Sequence, residues 1–411
     1  MWGTTNLDVP GSEITVTIID SAPTTPTSTV CRDSSVTIQE VTSRRLLDTF
    51  IRFPWQIYAD DPAWVPPLIH DVKEFLNPRK HPFYRHGDAA KFLAFRDGKP
   101  VGRILVSNDP LRVEETGENW GCFGMFESVD DPAVAAQLLD TASDWLRARG
   151  RTSMLGPIDY SNNYPCGLLV NGFDTPPRYG MNHHPPYYAD LLTSCGMQKS
   201  KDLYSWWFLD PNDILAKWRR LAERAARRHA VTVRTFRPND FENDVRRCQQ
   251  VYHGVQKDSW AYTRLTEAEF QFMAKRMAQF GISDQVLLAE VDDKPVGFSI
   301  TLPDINEAIK PLNGRLTNFG LPINALRLAY RIRHVKTARM MVLCVLDGYR
   351  HRGIGELLVL NTLEYGKLEI GYTGAELGWT VDGNEAIDRV LQRVGAQRYK
   401  TYRVYEKAIG Q

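Results

Sequence analysis

The sequence predicts an α/β (α+β) chain of two similar domains in tandem. Residues 340–346 are apolar and β-branched, and glycines and then a Leu-rich, proline-free segment follow, which is the order strand, loop, helix. Two short apolar runs on either side of a turn at residues 292–295 indicate a β-hairpin just upstream. The N-terminal part of the chain repeats this hairpin, strand and helix in the same order.

The chain begins with a stretch that lacks the apolar residues a core needs. Residues 1–35 carry clusters of Thr, Ser and Pro, a composition that predicts a disordered tail. The alternating residues 36–41 predict the first strand, and Ser43 is a suitable N-cap for the helix that follows.

The N-terminal half, residues 36–208, contains the first copy of the repeat. Its predicted elements are strands at residues 90–96 and 101–106, a strand at 121–128, a helix at 132–149 and a strand at 153–158. The sequence G-K-P-V-G at residues 98–102 matches D-K-P-V-G at residues 293–297. This match is the clearest sign of an internal repeat.

Two loops of the N-terminal half, residues 156–167 and 181–188, are dense in turn formers, amides, imidazoles and phenols. Loops with many directional polar groups often carry binding, and the alternative is a hydrogen-bonded connection that caps the sheet edge. As substrate-binding residues we predict Asn162, His183, His184 and Tyr188. The adjacent histidines have no third or fourth ligand at a recognisable spacing, so no metal site is predicted.

Residues 209–230, rich in Arg and Ala, predict a helix between the two halves. Its basic face is most simply a solvated surface. The chain has 50 Lys and Arg against 49 Asp and Glu, and no groove-reading motif accompanies the basic helix. Nucleic-acid binding is therefore not predicted.

The C-terminal half, residues 231–411, opens with strands predicted at residues 285–291 and 296–302 and a long segment at 304–339. From residue 308 to residue 346 there is no Asp or Glu, and Arg and Lys are interleaved with Leu, Ile and Tyr. Such a segment is suited to an anionic membrane surface or to the entrance of a lipid. The alternative is a covering helix whose arginines extend to water.

The loop at residues 350–355 reads Arg-His-Arg-Gly-Ile-Gly. Gly353 and Gly355 let the backbone turn sharply and come close to a ligand, while N–H groups and the positive end of the next helix face the same point. Such a loop is suited to phosphate. A P-loop and a dinucleotide-binding loop are both excluded, since neither GxxxxGK[ST] nor GxGxxG is present here.

The pattern R-x-x-G-x-G resembles the pyrophosphate loop of the GNAT superfamily, the acyl-CoA-dependent N-acyltransferases. The surrounding order agrees, because a strand at residues 375–381 leads to Asn384 at the start of a helix, and Gly395 ends that helix. Residues 399–405 alternate like a final strand. The resemblance covers residues 231–411 and implies a mixed, mostly antiparallel sheet flanked by helices in each copy.

The resemblance implies acyl-CoA as co-substrate, without a metal. The residues that it assigns to acyl-CoA are Val345, Leu346, Arg350, His351, Arg352, Gly353, Ile354, Gly355 and Asn384. In the family, a backbone N–H at the bulge of the fourth strand polarises the thioester carbonyl, which here would fall near Val345 or Leu346. The N-terminal copy has Glu127, Asp130 and Asp131 in place of the glycine loop. Since these carboxylates would repel a pyrophosphate, we predict that the N-terminal copy has the fold without binding CoA.

The proton route is left open by a departure from the family. Its general acid, a Tyr seven residues after the Asn, is replaced by Leu391. Glu290 could relay a proton through water or face solvent, and Asp304 could act as a base or cap a turn. Tyr402 could replace the missing phenol, although strand tyrosines are most often core residues. Asn306, just past the third strand, is predicted to contact the acceptor amine.

The composition also indicates the cellular compartment of the protein. Six widely spaced cysteines with no CxxC are interpreted as free thiols in a reducing cytoplasm. No apolar run is long enough to span a membrane, and no signal peptide is recognisable. The expected location is the cytoplasm, with peripheral contact at the inner membrane face as the variant that the basic segment favours.

The sequence thus predicts an acyl-CoA-dependent N-acyltransferase that acylates a primary amine held between the two halves. A narrower resemblance, carried by GP…CGLLVNGF…PP…PPYY and by the ending R-Y-K-T-Y-R-V-Y-E-K, is to a tandem bacterial group similar to proposed bacterial ceramide synthases. It implies a sphingoid long-chain base as the amine. Two alternatives stay open, a small-molecule amine N-acetyltransferase and a non-catalytic CoA-binding module, which the missing Tyr favours.

Overall fold

Thirteen strands form one continuous sheet that runs through both halves. The structure, a computed structural model, describes residues 36–209, 214–256, 260–278, 283–318 and 320–410. The predicted tail at residues 1–35 lies outside these ranges. The α/β prediction is confirmed, because the sheet is mixed and mostly antiparallel and helices flank it.

The strands are β1 (Val36–Glu40), β2 (Asp88–Arg96), β3 (Lys99–Asn108), β4 (Trp120–Ser128), β5 (Ser153–Gly156), β6 (Leu168–Asn171), β7 (Gln198–Phe208), β8 (Val231–Thr235), β9 (Val286–Val291), β10 (Lys294–Pro303), β11 (Thr337–Val345), β12 (Gly374–Val381) and β13 (Gln397–Ala408). The helices are α1 (Arg44–Arg52), α2 (Pro54–Ile57), α3 (Ile69–Phe75), α4 (Pro110–Thr116), α5 (Pro132–Arg147), α6 (Tyr188–Ser194), α7 (Ile214–Arg228), α8 (Phe241–Gln256), α9 (Glu267–Ala278), α10 (Ile305–Ile309), α11 (Ile323–Ile332), α12 (Ile354–Tyr365) and α13 (Glu385–Arg393).

The two halves exchange their last strands. The strand order is β1-β2-β3-β4-β5-β13-β7-β12-β11-β10-β9-β8, and β6 pairs with β13 beside this path. Thus β7 of the N-terminal half pairs with β12, whereas β13 at the end of the chain pairs with β5 and β6. The exchanged strands also pair with each other. Each half therefore completes its sheet with a strand of the other, and the predicted domain boundaries stay predictions.

The repeated hairpins lie at β2–β3 and β9–β10. Their turns have the left-handed backbone that two-residue hairpins need, with φ of 51° at Asp97 and 73° at Gly98, and 49° at Asp292 and 59° at Asp293. A register shift interrupts both pairings at the shared Pro-Val-Gly sequence. The similarity of the two sequences therefore extends to the backbone.

A glycine in each hairpin brings a helix close to the sheet. A Cβ on Gly102 of β3 would lie 2.7 Å from Leu138 of α5, and a Cβ on Gly297 of β10 would lie 3.2 Å from Ile354 of α12. Each of these helices follows the strand next to its hairpin, β4 or β11. Each half thus packs one helix on the equivalent part of its sheet, and core residues of that half are buried there.

The predicted helix between the halves forms as α7. Its Arg219 pairs with Glu364 of α12, so part of its basic face contributes to packing. The five described cysteines form no disulfide. Among the described residues, no helix combines the length and the apolar composition needed to cross a bilayer.

Candidate active site

A cavity of about 1330 Å³ is lined by residues of both halves. Typical small-molecule pockets measure about 300–1,000 Å³. The walls come from α3 and the loops after β5 in the N-terminal half, and from α8, α9, β11, β12 and α13 in the C-terminal half. This volume leaves room for two substrates.

The cavity enters the sheet where β11 and β12 separate. The parallel pairing joins only Thr337–Met340 of β11 to Gly374–Leu377 of β12. Beyond that point β12 has a register shift and stays paired with β7, while residues 342–345 and 378–381 line the cavity. A strand edge without a neighbour offers backbone N–H and C=O groups to a ligand.

Val345 directs its backbone N–H toward this opening. The Leu346 N–H donates to the Val296 carbonyl of β10 at 2.9 Å. Because successive residues of an antiparallel strand bond alternately to the neighbouring strand, the Val345 N–H points to the other side. Arg350 Nε donates to the Val345 carbonyl on that side, at 3.4 Å. Of the two residues predicted to polarise the thioester carbonyl, the geometry favours Val345.

The glycine loop turns into α12 as the sequence predicts. Asp347–Arg352 form a 3-10 turn, and Gly353 has φ of 74°. Among the described residues no side chain caps the N-terminus of α12, so its first N–H groups are available to a ligand. A Cβ added at Gly355 would have its nearest described contact at 4.0 Å, with Val345 Cγ2. Bare backbone thus lines the cavity here, and a diphosphate fits against it.

Cations and an amide surround this loop. Arg350, Arg389 and Arg393 line the cavity together with Asn384, whose side chain accepts from the Ile387 N–H at the start of α13. Asn384 and Arg350 were predicted to bind acyl-CoA. The two arginines of α13 were missed, although their spacing of four residues, on the helix that Asn384 begins, places them on one face.

In the N-terminal half, the helix N-terminus that corresponds to the start of α12 is occupied by a side chain of the protein itself. Asp131 is the N-cap of α5 and accepts from the Ala133 N–H at 2.8 Å. Its carboxylate also pairs with Arg96 at 2.7 Å. The helix N-terminus that an anion would approach is therefore already capped, and that this copy does not bind CoA stays a prediction.

The three predicted proton carriers do not line the cavity. Glu290 accepts from Arg234 Nη2 and from Arg247 Nη1, each at 2.9 Å. Asp304 caps α10 and pairs with Arg178 at 2.9 Å, while burial raises its pKa. Tyr402 is fully buried, and its hydroxyl has no hydrogen-bond partner among the described residues. Their catalytic roles stay predictions.

Most of the predicted substrate residues do line the cavity, namely Asn162, His183, His184 and Asn306. His183 Nε2 contacts Asp61 Oδ2 at 2.7 Å, and its buried Nδ1 has no partner among the described residues. Burial lowers the pKa of His184 to about 3, so this imidazole is neutral. Tyr188 instead lies in the core and donates to Glu127 at 2.8 Å.

Sequence reasoning missed a buried polar group on the N-terminal wall. Glu127 accepts from Tyr58 at 2.8 Å and pairs with Arg103 at 3.3 Å. Asp159 lies nearby, with Oδ1 accepting from the Met125 N–H at 2.9 Å. A Cβ on Gly124 would lie 2.3 Å from that oxygen, so the glycine makes room for it. The sequence named Glu127 only as a group that would repel a pyrophosphate, and Asp159 only as part of the polar loop at residues 156–167.

Methionines form much of the apolar wall. Six of the nine in the chain line the cavity: Met125, Met181, Met273, Met277, Met340 and Met341. Methionine is flexible and apolar, which suits a wall that adapts to a flexible alkyl chain. Among the described residues, no group of His, Cys, Asp or Glu has a metal-binding arrangement.

Comparison with known proteins agrees with the fold and with the loop. The acetyltransferase (GNAT) family model matches residues 250–396. The bacterial ceramide synthase of Caulobacter vibrioides (strain NA1000 / CB15N) is 35% identical over 370 residues, which cover 88% of this chain and 95% of the relative. Protein YghO of Escherichia coli (strain K12) is 34% identical over 370 residues, covering 88% of this chain and 93% of that protein.

A solved structure of a tandem protein has a similar fold. A tandem GNAT protein from the clavulanic acid biosynthesis pathway superposes with a TM-score of 0.54 at 12% identity, covering 92% of this chain and 99% of its own. At that identity the likeness concerns the fold alone.

Proposed function

The chain belongs to the GNAT acetyltransferase family, and we propose on that premise that it joins a long-chain acyl group from acyl-CoA to the amine of a lipid base. The family transfers acyl groups from CoA thioesters to amines, so the chain is an N-acyltransferase. The lipid acceptor is the more specific part of the proposal, and the cavity, one relative and helix α11 support it.

The cavity is the main observation that supports the proposal. It extends from the glycine loop and the β11–β12 opening to an apolar wall that contains six methionines. An acceptor with a long alkyl chain would bury that chain against this wall, and each buried CH₂ group contributes about 0.8 kcal/mol. A small polar amine would leave the same wall in contact with water.

The C-terminal half would hold the acyl donor. We assign the diphosphate to the N–H groups at Gly353 and Gly355, with the cations of Arg350, Arg389 and Arg393 nearby. The Val345 N–H would donate to the thioester carbonyl and stabilise the negative charge that develops on its oxygen. Gly355, Val345 and the three arginines line the cavity.

The name of one relative supports a sphingoid base as acceptor. The chain shares 35% identity with a Caulobacter protein named a bacterial ceramide synthase, over nearly the whole length of that protein. By its name that relative forms an amide of a long-chain base. The same acceptor would fit a cavity of this volume and lining.

Helix α11 supports a membrane as the source of the lipid. Leu328 and Ile332 on its inner face pack against apolar residues that include Val65 and Leu68 of the cavity wall. Its outer face exposes Leu326 and Tyr330, at 71% and 66%. Arg327 and Arg331 of α11 are also exposed, as is Arg333 just after the helix. We infer that α11 lies on an anionic bilayer, beside the cavity wall.

A product assay tests the proposal. Purified protein with palmitoyl-CoA and sphinganine should release free CoA and form N-palmitoyl-sphinganine, detected by mass spectrometry. The parallel reaction contains acetyl-CoA and small polar amines. Acetylation of a small amine, with no amide from sphinganine, would assign the chain to small-molecule acetylation instead.

A further inference from the structure

The four carboxylates on the cavity wall differ in their partners. Asp71 pairs with Arg276 at 3.7 Å and Glu356 with Arg393 at 3.8 Å. Glu127 is saturated by two tyrosine hydroxyls and Arg103. Among the described residues, Asp159 has neither a cation within pairing distance nor a hydroxyl, and its one hydrogen bond from the protein comes from the Met125 N–H. A buried carboxylate without a cation is costly, which favours a cationic ligand.

Comparison of the two repeated halves shows which part of the C-terminal half corresponds to the surroundings of Asp159. The registers equate Ser128 with Val345, because Gly102 and Gly297 pair with them in the two hairpins. Each strand has a register shift just before this position, three residues earlier in β4, next to Met125, and four residues earlier in β11, at Met341. In the C-terminal half the irregular strand faces the cavity. In the N-terminal half its Met125 N–H is bound by the chain's own carboxylate.

Four polar atoms of other residues on the cavity wall are buried and have no hydrogen-bond partner among the described residues. They are Nε2 of His81, Nε of Arg103, Oδ1 of Asn162 and Nδ1 of His183. All four residues line the cavity, and His81, Arg103 and His183 are more than nine-tenths buried. Buried donors and acceptors of this kind need partners, which a polar head group would supply.

We propose that Asp159 is the anchor for the ammonium group of the acceptor, and that the N-terminal half is the acceptor subsite of the enzyme. This assignment rests on the N-acyltransferase activity and names its second binding site. The loop that carries Asp159 is tied to the acyl-transfer side, because Asn163 accepts from Tyr252 of α8, which packs in one cluster with Cys344 of β11.

The anchor also accounts for the first proton transfer. Burial raises the pKa of Asp159 to about 7, so the carboxylate accepts a proton near neutral pH. The ammonium gives one proton to Asp159 and becomes a neutral amine. Its nitrogen then bonds to the thioester carbon as the C–S bond breaks, and the second proton leaves on the sulfur as CoA thiol.

Equilibrium binding tests the anchor without requiring turnover. Calorimetry at pH 8 compares hexadecylamine with hexadecanol, and hexylamine with hexanol, so that chain length and charge are varied separately. The wild-type protein should bind the amine at least tenfold more tightly than the alcohol of the preferred length. The variant D159N, which keeps an acceptor for the Met125 N–H, should bind the two alike.

The matched control is D130N, which removes an exposed carboxylate of the same half and should keep the preference. CoA affinity and melting temperature report the fold of each variant. Equal affinity of the wild-type protein for amine and alcohol at both lengths overturns the anchor, and so does a preference that survives in folded D159N. A preference seen only with hexylamine keeps the anchor and refutes the lipid acceptor.

Discussion

At the scale of single residues, Gly355 gives the cleanest test of the CoA site. Gly353 is unsuitable because its φ of 74° would strain any other residue. Gly355 lies in the first turn of α12, and its added Cβ would meet no close atom. G355A should therefore fold normally, whereas G355E places a carboxylate where the diphosphate would lie. We expect a loss of CoA affinity of more than tenfold, about 1.4 kcal/mol, for G355E.

Calorimetric titration with CoA measures this loss, and the melting temperature shows whether each variant is folded. G355A serves as the control, since Ala in a helix stabilises relative to Gly by about 0.5–1 kcal/mol. If folded G355E binds CoA as the wild-type protein does, the diphosphate lies elsewhere.

Asp159 gives a residue-scale prediction about pH. The charged and titratable groups that face it are Arg103, Glu127, Cys122, Cys166 and Tyr160. Burial raises its pKa from 3.8 to about 7, so the folded protein holds an extra proton between these values and the free energy of unfolding falls as pH rises. D159N removes this loss. The free energy of unfolding of D159N minus that of the wild-type protein should therefore increase by about 3 kcal/mol between pH 5 and pH 8.

Denaturant unfolding of both proteins at the two pH values measures this difference. D130N, with its exposed carboxylate, should show no such growth. A constant difference between D159N and the wild-type protein would mean that Asp159 ionises in the usual acidic range.

At the same scale, the sequence pointed to the glycine loop and to four of the polar cavity residues, but not to Asp159 or Glu127 as cavity groups. Gly353 and Gly355 belong to one contiguous motif, and Asn384 begins the next α-helix after it, so the order of elements along the chain was enough to propose them. Asp159 lies in the polar loop at residues 156–167, which the sequence indicated, but the cavity that Asp159 and Glu127 line forms through the pairing of strands, which no local pattern encodes. Glu290 was a candidate because a carboxylate on a strand is conspicuous, and its partners Arg234 and Arg247 come from distant elements.

At the scale of elements, α11 gives a prediction about the membrane. Each arginine near an anionic bilayer contributes about 1 kcal/mol, so the double variant R327Q/R331Q should weaken binding to vesicles about 30-fold. Co-sedimentation with vesicles of phosphatidylglycerol and phosphatidylcholine measures the change. The double variant L326E/Y330E should weaken binding as well, because it removes the apolar contact.

The control for L326E/Y330E is L209E, since Leu209 is 51% exposed outside α11. CoA affinity should be the same in all these proteins. Equal vesicle binding by wild-type protein and both double variants would leave α11 as a covering helix, the alternative that the sequence allowed. The inner face of α11 already packs over apolar residues of the cavity wall.

At the scale of the whole molecule, the tandem fold followed from the sequence but the strand exchange did not. The repeat was visible because Lys-Pro-Val-Gly occurs in both hairpins with the same turn chemistry. The alternating residues 399–405 correctly predicted a strand, now β13. Alternation indicates which residues point to one face, but it does not specify the neighbouring strand. That choice depends on long-range pairing, which here crosses from one half to the other.

The exchange predicts that neither half folds alone. In a fragment of residues 231–411, β12 would lack β7, and β13 would lack β5, β6 and β7. Two long strands would then expose unpaired edges, which favours aggregation. We expect fragments 36–208 and 231–411 to be insoluble or unfolded when expressed singly, and to form a one-to-one complex that binds CoA when co-expressed. Size-exclusion chromatography and circular dichroism compare the three preparations. A soluble, folded fragment 231–411 with the CoA affinity of the full chain would show that the C-terminal half does not need β7, and that the exchanged strands join two domains that are already complete.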